Sequence, residues 1–255
     1  MMLLTGLDLE YKFMSLSELR EELKKHSSRQ KAKVLQSFFK TGPGEYAEGD
    51  VFIGVKVPQI RSVARKFQDI SLKEVISLLK SGIHEERLTA LFILVFNYSQ
   101  GSDLEKERIY KVYLKHTKYI NNWDLVDLTA GHIAGAFLIN KDKGPLYKLS
   151  KSKLLWERRI SIIATSHYIK DNKFDDALRI AKELLFDKED LIHKAVGWML
   201  REIGKRDLSA EEGFLIKHYK EMPRTMLRYA IERFPEPKRH SYLRDTLGFK
   251  AKCVP

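Results

Sequence analysis

The chain has 255 residues, 44% of them hydrophobic and 31% charged, and its 46 Lys and Arg against 34 Asp and Glu leave a net charge of +12. This is the composition of an ordinary soluble globular protein with one large domain, and its positive surplus points to a polyanion such as nucleic acid. A membrane surface is disfavoured, because no lipidation motif or dominant basic amphipathic helix accompanies the charge. The single cysteine, Cys253, excludes an iron–sulfur cluster and a four-cysteine zinc site. Met1-Met2-Leu3-Leu4 is too short for a signal segment and no apolar run reaches bilayer length, so the expected compartment is a reducing cytoplasm, bacterial or archaeal.

In chain order, an N-terminal helical region over about residues 15–42 ends at Thr41-Gly42-Pro43-Gly44. Val51 to Val57 is the main strand-like stretch, and Pro58 after it predicts a short extended lead into a helix. Ser71 is placed as the N-cap of a helix whose stripe runs through Leu72, Val75, Ile76, Leu78 and Leu79. Breaks follow at Ser99 to Ser102 and Lys143-Gly144-Pro145, and none resembles a linker between independent domains. The segment from Pro235-Glu236-Pro237, with Lys250-Ala251-Lys252 near the terminus, either closes the array or frays.

Almost all apolar periodicity is helical, and it recurs. Glu86-Arg87-Leu88, Glu157-Arg158-Arg159 and His193-Lys194-Ala195 each open an apolar helix with a basic residue, the last two offset by about 35 residues. This predicts an all-α HEAT- or armadillo-like solenoid in a single domain, with repeats over about residues 58–245 and a curved, concave basic face. Arg87, Arg158, Arg159, Lys194, Arg201 and Arg228 would line that face for duplex DNA, with about half of them instead bonding helix carbonyls or glutamates.

Asn121-Asn122-Trp123-Asp124-Leu125-Val126-Asp127 places an indole and a carboxylate four residues apart, on one helix face. Taken alone, Trp123 and Trp198 read as core tryptophans, Asp127 as a surface or capping carboxylate, and Arg159 as half of a structural ion pair. Taken together, that run, Trp156-Glu157-Arg158-Arg159-Ile160 and Lys194-Ala195-Val196-Gly197-Trp198-Met199-Leu200-Arg201 resemble, in order and spacing, the signature segments of AlkD-type DNA alkylation repair glycosylases. The resemblance runs over roughly Ser27 to Leu243. It implies a HEAT-like enzyme that releases cationic bases such as 3-methyladenine and 7-methylguanine from duplex DNA and leaves the lesion stacked; the accompanying expectation is a monomer that needs no metal or cofactor, although no seam in the sequence encodes the oligomeric state. By the same resemblance Trp123, Asp127 and Trp198 face the lesion nucleotide. Arg159, with Arg158 beside it, contacts the DNA backbone, and Tyr46 stands in the segment leading into the first repeat, either stacked on DNA or half-buried.

The chemistry is consistent with that implication. A purine alkylated at N3 or N7 is already positive and departs without a strong general acid, so a carboxylate near the developing sugar cation is what helps. Two indoles suit a cationic nucleotide. Glu45, Glu48 and Asp50 lack calcium-loop spacing, His132, His167 and His193 lack zinc spacing and read as packing or surface residues, and no phosphate-binding Gly-rich loop occurs. The rival reading is a non-catalytic module that grips damaged or branched DNA, or a protein scaffold, since solenoids usually bind rather than catalyse.

Overall fold

The computed structural model describes residues 14–245; Met1 to Leu4, Lys250 to Lys252 and Cys253 lie outside them. Among the described residues there are helices and no strands beyond one isolated parallel bridge, Val51 to Ile83. The chain divides into two compact units, one ending at Asn97 and the other beginning at Tyr98.

In the N-terminal unit, α1 (Leu16–Lys25), α2 (Arg29–Phe38), α3 (Val57–Lys66) and α4 (Leu72–Leu79) precede α5 (His84–Gln100), whose last turn crosses the boundary. Capping boxes start α1 and α4, where Ser15 pairs with Glu18 and Ser71 with Glu74, each satisfying backbone N–H groups that a helix start leaves open. The predicted stripe of α4 buries Val75, Leu78 and Leu79. Between α2 and α3 the extended lead is held from within: buried Glu85 accepts the N–H groups of Ile53, Gly54 and Val55 at 2.8–3.2 Å. Gly54 has φ +83°, and a Cβ there would lie 2.2 Å from the Ser28 carbonyl, so only glycine fits. Glu45 and Glu48 accept the backbone N–H groups of Gly42 and Gly44, and Asp50 pairs with Arg87 at 2.7 Å. The acidic loop residues thus serve the backbone and a buried arginine, and no group of three or more candidate metal ligands exists among the described residues.

The second unit runs α6 (Asp103–Lys115), α7 (Trp123–Asp127), a π-helical turn (Gly131–Gly135), α8 (Ala136–Leu138), α9 (Gly144–Ser150), α10 (Leu155–Ala164), α11 (Ser166–Lys170), α12 (Asp175–Glu183), α13 (Asp190–Gly204), α14 (Leu208–His218), α15 (Arg224–Ala230) and α16 (Glu236–Leu243). Its core is built around α10 and α13, which pack on each other; α10 also meets α7, α9 and the π turn, and α13 meets α12, α14 and α15. Ile160, Ile162, Ala195, Val196, Met199 and Leu200 supply the apolar faces. A Cβ on Gly197 would lie 2.4 Å from the Met226 carbonyl, so glycine allows the backbones of α13 and α15 to approach.

One device repeats along the chain. Arg87 donates to the carbonyl of Ser81, Arg158 to that of Ser152 and His193 to that of Asp187, each six residues earlier. The side chain reaches back over the turn entering its helix and satisfies an acceptor that no ladder provides for. Sequence spacing puts Trp123 in the corresponding place of α7, 35 residues before Arg158.

An under-bonded polar group lies in the core on α14. Glu211 is 2% exposed, its Oε1 has no hydrogen-bond partner, and a side chain on Gly204 would collide with its Oε2. Burial, reinforced by Glu212 and opposed by Arg201 and Lys238, pushes its carboxyl up to about 8. The folded state keeps a proton that the unfolded chain releases above the ordinary glutamate value, so this group's contribution is full below that value and is lost as pH rises towards 8. Glu211→Gln is expected to flatten the fall in Tm between pH 5 and 8 and to raise Tm at pH 8, by about 2–4 °C for each kcal/mol recovered. A variant whose Tm keeps the natural pH slope would refute the assignment.

Candidate functional site

The site grows from a short helix. Asn122, fully buried, caps α7 by accepting the Trp123 N–H at 2.8 Å, and within one turn the chain presents Trp123 and Asp127 on one face. From α10, Arg159 donates Nε to Asp127 Oδ1 and Nη2 to Oδ2, both at 2.8 Å, while Nη1 donates to the Leu191 carbonyl at the start of α13. The two side chains are 6% and 13% exposed. One guanidinium therefore joins α7, α10 and the start of α13, and Asp127 keeps its access to solvent at one edge.

Burial pushes the Asp127 carboxyl above the usual aspartate range, against the pull of the Arg159 charge, with Asp124 adding a smaller upward push. Arginine cannot surrender its proton, and its two parallel bonds match an ionised carboxylate, so the pair is a salt bridge at neutral pH.

The neighbouring charged residues brace this geometry. Glu157 accepts hydroxyl protons from Thr117 at 2.6 Å and Ser152 at 2.5 Å, fastening the start of α10 to the preceding turns. Arg158 bonds Asp187 at 2.6 Å and also the carbonyls of Ser152 and Lys153. Trp198, half-buried, lies two turns beyond Leu191 on the same face of α13, about 10 Å along its axis. Its Nε1–H donates to Glu202 at 3.0 Å, and Glu202 also accepts from Lys205 at 2.6 Å.

The structure thus joins Asp127 directly to Arg159, sets Trp123 on the Asp127 face and puts Trp198 on the helix that receives Arg159. The basic residues differ in position. Lys194 pairs with Asp190 at 2.8 Å, Arg201 pairs with Glu232, and Arg228 is exposed. Arg87, expected on a DNA-facing surface, is 3% exposed and held inside the N-terminal unit by Asp50 and the Ser81 carbonyl; Arg158 is likewise held by Asp187. In both, the carbonyl and the carboxylate compete successfully for the guanidinium. Tyr46, in the N-terminal unit, is half-buried.

The basic row that sequence reasoning missed is Lys118, Lys153 and Lys188. All three are exposed, none is in an ion pair among the described residues, and each stands five residues before Trp123, Arg158 or His193. The signal was available, since they recur at 35-residue intervals, but it lies in the turns rather than in the helix openings. The Leu191 carbonyl, being backbone, has no signal in side-chain identity at all.

Among the described residues no helix is long and apolar enough to cross a membrane. No curated protein matches the chain significantly. Among the solved structures that match is a "Predicted DNA alkylation repair enzyme from Enterococcus faecalis", 14% identical, with a TM-score of 0.64 over 83% of this chain and 98% of that one. This likeness shows a shared helical-repeat fold. A family model described as DNA alkylation repair enzyme matches residues 19–234, and the chain belongs to that family.

Proposed function

We propose that the protein is a monofunctional DNA N-glycosylase of the AlkD type, acting on duplex DNA that carries cationic alkylated purines, as a monomer and without metal or cofactor. The observation that carries this reading is the Asp127–Arg159 pair: an ionised, partly accessible carboxylate fixed in direction by two bonds and standing one turn from an indole. In the reaction the C1′–N bond breaks and its electron pair leaves with the base, which becomes neutral. The sugar is left as an oxocarbenium-like cation that the Asp127 carboxylate stabilises electrostatically. Water then adds at C1′ and its proton passes to solvent. The base leaves with its own positive charge discharged, so no Lewis acid is required.

Trp123 and Trp198 would hold the cationic nucleotide and its sugar through their faces. Arg159, with its N–H groups directed to Asp127 and Leu191, acts as a positioning residue for the carboxylate. Phosphate binding falls instead to exposed cations, and Lys118, Lys153 and Lys188 are proposed to neutralise one phosphate per repeat. Their replacement by Gln should reduce the dependence of log K on log salt by about 0.9 for each phosphate no longer neutralised.

The direct test is release of base from a duplex carrying one 7-methylguanine, alongside a duplex carrying a bulky cationic N7 adduct. Release from both supports a site that works from the sugar side. Release of the methylated base alone would require the lesion to enter a pocket. Salt-sensitive binding without release from either substrate would establish the non-catalytic module.

A further inference from the structure

A second polar site lies in the same unit, where the π turn Gly131–Gly135 and α11, which follows α10, come together. His167 stands on α11, eight residues beyond Arg159 in the chain. There a cavity of about 610 Å³ is lined by, among others, Asp103, Lys106, His132, Asn140, Lys141 and His167. Its size falls within the range of small-molecule sites.

The wall is built for close approach. The π turn Gly131–Gly135 packs on α10 and α11. A Cβ on Gly131 would lie 2.4 Å from Ser166 Oγ, and one on Gly135 would lie 2.2 Å from the Ala164 carbonyl and 2.9 Å from His167 Cβ. These approaches bring the two histidine-bearing segments backbone to backbone. A π turn is a rare local geometry that occurs frequently at functional sites.

Charge decides what the cavity favours. Lys106 and Lys141 make no ion pair among the described residues, and Lys141 Nζ lies 3.4 Å over the Phe137 ring, which holds the ammonium at the wall. Phe137 is backed by Tyr110 at 4.1 Å. Behind this wall the hydroxyls of Tyr110 and Tyr168, residues 8% and 1% exposed, have no hydrogen-bond partner. Burial holds His167 below the ordinary histidine value, which favours the neutral imidazole, a ring that can hydrogen-bond a ligand as donor or acceptor. Among the lining residues two ammonium groups stand against the single carboxylate of Asp103, with Glu107 and Asp171 acting on Lys141 and His167 from outside the lining, and the Asp103 carboxylate is suited to accept hydrogen bonds from hydroxyl groups.

We propose that this cavity binds a phosphomonoester carried on a hydroxylated body, with Lys106 and Lys141 on the phosphate and Asp103 on a hydroxyl. A mononucleotide and the 5′-phosphorylated end of a DNA strand share this chemistry. The site is separate from the Asp127–Arg159 pair and does not depend on its assignment.

The test is an NMR titration of the His132 and His167 ring signals in the full chain. The probes are 2′-deoxyguanosine 5′-monophosphate, 2′-deoxyguanosine, inorganic phosphate, and one oligonucleotide with either a 5′-phosphate or a 5′-hydroxyl. The nucleotide should give saturable shifts at millimolar concentration or below, deoxyguanosine should give none, and inorganic phosphate should bind at least tenfold more weakly. Lys106→Gln with Lys141→Gln, both surface changes that leave the fold intact by circular dichroism, should weaken nucleotide binding at least tenfold. Shifts by the phosphorylated oligonucleotide and not by the mononucleotide would assign the ligand to a strand end. No saturable shift with any phosphorylated probe, equal shifts with deoxyguanosine, or unchanged binding in the double variant would each overturn the proposal. Binding of inorganic phosphate as tight as that of the nucleotide would remove the hydroxylated body from it.

Discussion

Asp127→Asn is expected to slow single-turnover release of 7-methylguanine from duplex DNA by at least tenfold, and by about 10²–10³ if this carboxylate is the main electrostatic partner of the sugar cation. The substitution keeps the shape of the side chain and leaves one carbonyl oxygen for one Arg159 N–H, so the junction of α7 with α10 is retained while the negative charge is removed. DNA affinity measured at moderate salt should change little, because Asp127 opposes rather than attracts phosphate. A variant that folds, binds DNA and releases base within threefold of the natural rate would remove Asp127 from the chemistry.

The second large effect is at Arg159. Arg159→Met leaves a buried carboxylate without its counter-charge and the Leu191 carbonyl without its donor, a change of the kind that costs about 3–5 kcal/mol of stability. It also changes the pH profile in a defined direction. Burial raises the Asp127 carboxyl and Arg159 lowers it; with the arginine gone only the upward push remains, so the ionised form is lost at higher pH than in the natural protein. The acid limb of base release should therefore move up by at least one pH unit in Arg159→Met. Arg159→Lys, which restores charge but a single point of attachment, should return it part of the way. A rate lowered equally at every pH would mean that Arg159 acts only through the fold.

Much of the fold was legible in the sequence because its signals are local. The Leu72–Leu79 stripe and its Ser71 cap, the extended lead before α3 and the helical character of nearly every apolar run depend on neighbours within a few residues. The 35-residue spacing was also visible, although its meaning changed. Arg87, Arg158 and His193 are in register because each reaches a carbonyl six residues back, and a row chosen for backbone satisfaction cannot be told from a row chosen for phosphate when only side-chain identity is read. The π turn at Gly131–Gly135 was not legible for a related reason. Its two glycines are required by the backbone and side chains of α10 and α11, which lie about 30 residues further along. Of the candidate site, residue identities could be read from the matching segments, whereas the three bonds that Arg159 directs to Asp127 and Leu191 follow from how three helices dock.

That docking makes the site a cooperative property of the array. In a protein stacked from nearest-neighbour units, segments near an end can open locally at less than the cost of global unfolding. Arg159 spans α7, α10 and α13, so detachment of α13 together with the helices that follow it would withdraw the Leu191 carbonyl and release one side of the guanidinium, even while α7 and α10 remained folded. Amide hydrogen exchange in α13 and loss of Asp127 alignment are then two readouts of a single opening, and mild denaturant should abolish base release before it exposes the amides of α7 and α10.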